Sequence, residues 1–589
     1  MRNLQNLLSE VDSILNNATA LDTDADTTQT EVEDDKLLTE LEKYFQYKDF
    51  RDGQREIIET ILNGEDVFAV YPTGHGKSLC YQLPALMLPG LTVVVSPLIS
   101  LMKDQVDTLR QQGIKHVSLI NSMQSWDENR KEMSRIQNGD VKLIYVSPER
   151  LRSRRFLDLL NTSLISLFVI DEAHCISQWG HDFRPAYLSI CNAIDSLFPK
   201  SIALFTATAP PDIRDDVLRV LKITEPEVLV GGIERSNLRL KVNAIEGKDR
   251  EEQKYELLKQ YVSSFAGKGI IYAGRRRETE EIANFLQEQG CSADFYHAGR
   301  EATERKHIQE AFFDDSTNGL NIVAATNAFG MGIDKPDIRF IIHWTVTGTL
   351  EEYCQEIGRA GRDGKPSECI LFYTHKDTEL HEWFIRESAP DKSSLLRLLQ
   401  ELENINGAGE YRLIAMEELA WRVGFKDTKL QVGLSYLEKL GFIKRWNNLP
   451  SRVSVAFRSQ PEDTNFEQSK LYSQLRQQRV TNILSFCQTL ELSPKSVMEQ
   501  LAELQNEGHL QYWGKDELML IEIQQDSEFF ASISEEQMGL GDYVKHRKSR
   551  IDKMVYYATS EGCRMKIIRD YFGEEVLENY RCNNCDRCS

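Results

Sequence analysis

Two short segments carry the residue types that hydrolyse a nucleoside triphosphate, at the spacing this chemistry needs. They are Tyr71-Pro-Thr-Gly-His-Gly-Lys-Ser78 and Ile170-Asp-Glu-Ala-His174. A loop rich in Gly lets backbone N–H groups turn inward around a polyanion, and a helix starting near Lys77 adds its positive dipole end. Thr73, Gly74, His75, Gly76, Lys77 and Ser78 would form that cradle. Lys77 would reach the β- and γ-phosphates, the Ser78 hydroxyl would meet Mg²⁺, and Asp171 would hold the same ion, leaving Glu172 to polarise the attacking water. The strict phosphate-loop pattern has Gly where this chain has Tyr71. The acidic pair on a second segment makes up for that departure.

Such residues need strands to deliver them. Residues 66–70 and 164–170 are short β-branched apolar runs, the pattern of buried parallel strands with catalytic loops at their carboxyl ends, so a doubly wound α/β sheet is expected. The alternation restarts at Lys268, with strands expected at 269–272, 321–325 and 339–343 and a helix at 278–289, which reads as a second α/β lobe. There Tyr353-Cys-Gln-Glu-Ile-Gly-Arg-Ala-Gly-Arg-Asp-Gly364 sets Gln355, Arg359 and Arg362 along a helix edge and its loop. A guanidinium reaching across a cleft neutralises charge on a transferred phosphoryl group. Arg362 is the first candidate for that finger, with Arg359 beside it.

A chain of 589 residues divides into several domains, and 41% hydrophobic with 27% charged residues is ordinary for globular protein. No run of eighteen apolar residues and no basic-then-apolar amino terminus appears, so membrane insertion and secretion are not expected. Eleven Cys, seven of them scattered singly, fit a reducing compartment. The net charge of −21 is unevenly spread. Residues 1–36 read as a disordered acidic tail, with Asp22, Asp24, Asp26, Glu31, Glu33, Asp34 and Asp35 against Arg2 alone over residues 1–35. Basic clusters then stand out at 150–155, 275–277 and 545–550, each read as a solvated face.

At this point the residues resemble the RecQ family of superfamily 2 DNA helicases. The match runs in order through Phe50-Arg-Asp-Gly-Gln54, residues 72–78, Ser96-Pro-Leu-Ile-Ser-Leu-Met-Lys-Asp-Gln105, residues 171–184, Thr206-Ala-Thr208, residues 324–334 and residues 355–364, covering roughly 40–376. The resemblance implies two RecA-like lobes, 37–232 and 233–376. It further implies ATP with Mg²⁺ as cofactor and unwinding of single-stranded, duplex or forked DNA with 3′-to-5′ polarity, in repair, recombination and replication. Tyr47 and Arg51 would sandwich the adenine while Gln54 reads its edge. Gln46 stands where the family usually has Gly, and His75 replaces another Gly, either placing an imidazole by the nucleotide or pointing to solvent. His174, Trp179, His181, Phe183 and Arg184 correspond to the aromatic-rich loop that couples DNA occupancy to hydrolysis; aromatic faces there could stack on bases or simply pack in a core.

Beyond residue 376 two similar units are expected, 390–458 and 468–526. Each is a helix pair followed by a hairpin, as in a winged helix, which docks on duplexes or serves as a protein platform. The hairpins are expected at 442–446 with 452–457, and at 509–513 with 517–523 around a turn at Gly514. Trp446 and Trp513 would sit near their tips, as strand-separating wedges or as buried anchors. Cys563, Cys582, Cys585 and Cys588 form C-x18-C-x2-C-x2-C in a module at 540–589, a structural Zn²⁺ site. The family's zinc module normally follows the motor directly, whereas here it comes last. The chain is expected to act as a monomer, in the nucleoid of a bacterium or the nucleus of a eukaryote. RNA translocation and a non-enzymatic ATP-binding scaffold are the alternatives.

Overall fold

The structure is a computed structural model, which describes the chain apart from residues 1–27, Thr73, 121–125, Ser153, 178–186, Leu188, 317–318, 331–332, Asp334, Asn447, 459–469, Arg479, 507–508 and Ser589. Its first lobe is built on seven parallel strands: β1 (Val67–Val70), β2 (Leu91–Val95), β3 (Val117–Ile120), β4 (Leu143–Val146), β5 (Ile165–Asp171), β6 (Ile202–Thr206) and β7 (Glu227–Val230), in the order β3-β4-β2-β5-β6-β1-β7. The first six are buried along nearly their whole length, since helices cover both faces; this is why they read as continuous apolar runs. β1 and β5 lie on either side of β6, which brings the loops after Val70 and Ile170 to one edge.

The helix Thr28–Phe45 begins inside the segment expected to be a disordered tail. Leu37, Leu41 and Phe45, four residues apart, are buried against the first lobe, an apolar stripe that anchors the second half of the helix. Residues 1–27 of that expected tail lie outside the described residues.

The second lobe is also parallel: β8 (Leu238–Ala244), β9 (Lys268–Tyr272), β10 (Ala293–Tyr296), β11 (Ile322–Ala325), β12 (Ile338–His343) and β13 (Ser367–Tyr373), ordered β10-β11-β9-β12-β13-β8. β8 is therefore an edge strand, with one side open for pairing.

After the helix His375–Ser388 the architecture departs from two free-standing units. A third sheet, of β14 (Gly407–Ala408), β15 (Tyr411–Ile414), β16 (Ile443–Arg445), β17 (Leu449–Phe457), β18 (Val480–Asn482) and β19 (Leu510–Ile523), is antiparallel and shared by both. Neither expected hairpin forms. β16 and β17 follow one another along the same side of β19, pairing with Ile521–Ile523 and Leu510–Leu518, and β19 runs straight through Gly514 without turning. Local turn residues lost to pairing with a distant strand. The helices Lys392–Asn404, Met416–Val423 and Asp427–Lys439 pack on one end of this ribbon, and Lys470–Gln477, Ile483–Leu490 and Pro494–Asn506 on the other, giving two separate cores. The second unit is thus inserted between the two long strands of the first unit's wing. In the first unit the second helix of the pair is buried from Gly433 to Leu437 against the neighbouring helices, so that face cannot enter a DNA groove.

The whole region interrupts a helical platform. Ser388 Oγ lies 3.3 Å from Tyr543 OH, so the chain leaves the platform after His375–Ser388 and rejoins it with the long helix Leu540–Thr559. No helix among the described residues is long and apolar enough to cross a membrane.

Candidate active site and zinc centre

The phosphate loop follows β1 and enters the helix Lys77–Met87. Gly74 and Gly76 have φ of 84° and 85°, a left-handed backbone that favours glycine. Gly76 has a second reason: a Cβ there would lie 2.6 Å from Gln54 Nε2. Lys77 Nζ donates to the carbonyls of Tyr71 (2.8 Å) and Pro72 (3.2 Å), which hold the ammonium inside its own loop where a phosphate oxygen would compete for it. Burial lowers the pKa of Lys77, while Glu172 and Asp171 oppose that shift. Burial raises the Tyr81 phenol well above its ordinary pKa, and the neighbouring Ser78 side chain opposes that rise. Thr73 lies outside the described residues.

Asp171 ends β5. Its carboxylate accepts from the backbone N–H of Glu172 (3.0 Å) and from Ser96 Oγ (3.5 Å). Burial, and next the Glu172 carboxylate, push Asp171 up to about 7. Two adjoining carboxylates in a buried cleft, with a hydroxyl from Ser78 nearby in the loop, form an all-oxygen donor set suited to Mg²⁺. Glu172 sits at φ 52°, a strained conformation for a non-glycine residue at the turn into the short helix Ala173–Ile176. Its carboxylate lies 3.3 Å from His174 Nδ1, which is 2.7 Å from Thr206 Oγ1. Thr206 Oγ1 in turn accepts from the Thr208 backbone N–H at 3.2 Å. The Glu172 carboxylate is thereby wired to the end of β6. Trp179, His181, Phe183 and Arg184 lie outside the described residues.

Across the cleft, the two arginines behave differently. A Cβ on Gly74 would sit 3.8 Å from Arg362 Cγ, so this second-lobe side chain abuts the phosphate loop, close enough that its charge helps to lower the Lys77 pKa. Arg359 is buried and donates from Nη1 to the Gly330 carbonyl of its own lobe, so it braces the loop after β11 instead of crossing. Gln355 lies on the helix Leu350–Ile357, half-buried. Two residues not singled out from sequence hold this segment. Arg235 Nη2 donates to the carbonyls of Ala360 (3.1 Å) and Gly361 (2.8 Å), and Asn237 Nδ2 to those of Gly361 (2.8 Å) and Lys365 (2.9 Å). They sit between the lobes without any motif spacing that would mark them.

The base end is tied to the phosphate loop. The Gln54 amide is engaged with the phosphate loop, donating to the carbonyls of His75 (3.0 Å) and Gly76 (3.2 Å) and accepting from the Arg51 backbone N–H (2.9 Å). Tyr47 is 54% exposed, and Arg51 Nη1 donates to the Gly74 carbonyl at 2.6 Å. His75 neither points to solvent nor faces the cradle's interior alone. Its ring packs on Tyr71 at 4.9 Å between centroids, lies against Gly232, and has Nε2 2.8 Å from the Asp52 carbonyl. Gln46, where the resembled family usually has Gly, adopts φ 60° as it ends the first helix.

The four cysteines converge: the Sγ atoms of Cys563, Cys582, Cys585 and Cys588 all lie within 4.8 Å of one another. Thiolates around a Zn²⁺ at about 2.3 Å would occupy such a cluster, and four sulfurs leave no open position, which makes the site structural. Burial alone would raise the Cys563 thiol, but backbone N–H groups of Lys566 and Cys582, with the Cys582 and Cys588 thiols, outweigh it and lower its pKa, whereas burial raises those of Cys582 and Cys588. Last in sequence, the module is first-lobe and second-lobe neighbour in space. Asp586 N donates to the Leu240 carbonyl (3.0 Å) and Asn584 Nδ2 to those of Ser236 and Leu238, so the cysteine loop caps the open edge of β8. Arg550, expected on a solvated face, is 3% exposed. It donates to Glu351 of the second lobe (2.5 Å), to Asp212 of the first (2.7 Å) and to Tyr571 OH (2.5 Å). Arg564, fully buried, pairs with Asp586 at 3.0 Å.

Comparison with known proteins agrees with this geometry. Residues 51–216 match the DEAD/DEAH box helicase family, 253–364 the helicase conserved C-terminal domain, and 524–589 the RecQ zinc-binding family. The probable ATP-dependent DNA helicase RecS of Bacillus subtilis is 41% identical over 64% of this chain and 75% of its own length. The ATP-dependent DNA helicase RecQ of Pasteurella multocida is 42% identical over 63% of this chain and 57% of its own. The ATP-dependent DNA helicase Q-like 5 of Arabidopsis thaliana is 33% identical over 86% of this chain and 56% of its own. The chain thus spans little more than half the length of two of these relatives and three quarters of the third. With the motor motifs, the second lobe and the cysteine module all matched in order, the chain belongs to the RecQ family of superfamily 2 DNA helicases.

Proposed function

We propose that this chain is an ATP-driven motor that moves 3′-to-5′ along single-stranded DNA and separates forked or duplex DNA in repair, recombination and replication. The observation that supports it most is the juxtaposition of Arg362, from one lobe, with the phosphate loop of the other. Binding of a triphosphate would draw the Lys77 ammonium from the Tyr71 and Pro72 carbonyls onto the β- and γ-phosphate oxygens. Ser78 and Asp171 would hold Mg²⁺, which when bound supplies charge neutralisation at the phosphates. Glu172, oriented by His174, polarises the attacking water, and Arg362 meets the charge that develops as the γ-phosphoryl leaves. Hydrolysis removes the anion that draws Arg362 to the loop, so the lobes can separate and step. Arg235, Asn237 and Arg359 act as positioning residues for the arginine-bearing segment, and Tyr47 with Arg51 clamps the base. A structural Zn²⁺ held by the four cysteines completes the cofactors. Such a motor works as a monomer wherever the genome is kept, nucleoid or nucleus.

The test is unwinding of fork substrates with either overhang, alongside ATP turnover stimulated by DNA and by RNA of equal length. Lys77→Ala is expected to abolish unwinding and turnover while retaining DNA binding, and Arg362→Ala to slow turnover by about 10³-fold or more. Wild-type unwinding by Lys77→Ala would defeat the phosphate-loop assignment. Stronger stimulation by RNA would move the substrate to RNA, and tight ATP binding without turnover would leave a scaffold.

A further inference from the structure

The three-stranded stretch β18-β17-β19 buries one face and offers the other to solvent. Val453, Val455, Leu510 and Tyr512 point into the second unit's core. Side chains alternate across a strand, so the intervening residues face outward. Register aligns them in two rows, Asn482–Arg452–Lys515 and Val480–Ser454–Trp513. Arg452, Lys515 and Asn482 are exposed, Trp513 is 43% exposed and Val480 62% exposed. Arg458 extends the same face at one end, its guanidinium bonded to Gln511 Oε1, and Glu517, opposite Pro450, closes it at the other.

Arg452 and Lys515 are directly opposite one another. Like charges at such a cross-strand pair destabilise a sheet. Among the described residues neither side chain takes part in an ion pair or hydrogen bond, although the chain carries a net charge of −21 and carboxylates are plentiful. An uncompensated cationic pair beside an outward tryptophan suits a polyanion that also presents flat aromatic faces. A duplex shows base faces only at its ends, whereas an unpaired strand shows every one. We infer that this sheet face binds single-stranded nucleic acid, with Arg452 and Lys515 on its phosphates and Trp513 stacked on a base. The inference rests on the motor reading above and deepens it, by giving an unwound strand a second footing outside the cleft between the lobes.

The experiment uses the full chain without nucleotide and measures anisotropy of a labelled oligothymidylate across a salt series, with a blunt duplex of equal length and phosphatidylserine vesicles as other arms. Trp513→Ala is expected to weaken oligothymidylate binding about tenfold, with Trp513→Phe restoring most of it. Arg452→Thr with Lys515→Thr is expected to flatten the salt slope by about 1.4, the share of two phosphate contacts on a single strand. Because that double variant removes a repulsive pair, its thermal midpoint should be no lower than the wild type's, which separates lost contact from lost fold. Unchanged affinity and slope in both variants would overturn the assignment, as would a loss confined to the duplex or to the vesicles. Wild-type ATP turnover with and without oligothymidylate is recorded in parallel. If the wild type is stimulated and the variants bind as it does, this face alone is wrong; if the wild type is not stimulated, the motor reading falls first.

Discussion

The zinc module and the two-core region before it both follow the motor in sequence, yet they are attached to it in opposite ways. The zinc module is welded on. Its cysteine loop extends the edge of β8, Arg564 is buried against Asp586, and Arg550 bridges Glu351 and Asp212 from a position with almost no solvent. The other region has its own two cores and a shared ribbon, and it leaves and re-enters the platform where Ser388 meets Tyr543. Burial of charged groups against the lobes marks what the motor cannot lose. Separate cores mark what it merely carries.

The comparison breaks first, and most severely, at the metal. Chelation, or Cys582→Ser, is expected to unfold the segment that caps β8 and to expose the motor to proteolysis, because binding free energy at a structural zinc site is folding free energy. Protease mapping with and without chelator checks this; unchanged cleavage would mean that the cysteines are not holding the module. Next comes Arg550→Ala, expected to cost about 3–5 kcal/mol of stability by stranding the buried Glu351 without its partner. Denaturant unfolding measures it, and Glu351→Gln in the same chain should recover part of the loss. Replacing residues 389–539 by a short Gly/Ser linker is expected to leave the DNA-free ATP turnover and the zinc content intact, with weaker DNA binding. Loss of zinc in that variant would show that the insertion is structural after all. The smallest effect is expected from Gln46→Gly, a gain of at most about 1 kcal/mol, since it relieves a left-handed φ of 60° while adding backbone entropy to the unfolded chain. A thermal melt that moves downward would contradict that account.

Legibility followed the range of the interactions. Lys77, Asp171, Glu172 and the four cysteines were readable because their chemistry demands particular residue types at short, set spacings. Gln46 was visible as a departure, but only its backbone angle shows the cost. Arg550 was misread as solvated because a run of basic residues on a helix shows its charge but not its partners, which lie 199 and 338 positions away. The hairpin turn expected at Gly514 failed for a similar reason. A Gly-Lys-Asp sequence permits a turn, but Val453 and Arg452, paired with Gly514 and Lys515, hold the strand extended.

By itself the amino-acid sequence determined the two parallel-sheet lobes, the glycine-rich loop after β1, the acidic pair at the end of β5 and the cysteines that converge, all of which depend on local periodicity and on donor chemistry. Tertiary structure alone decided that Arg359 braces its own lobe through the Gly330 carbonyl, that Arg235 and Asn237 hold the segment bearing Arg362, and that the last module in the chain docks directly on the motor. Those outcomes depend on which distant surfaces bury one another, and the free energy of that burial is not encoded in any one stretch of residues.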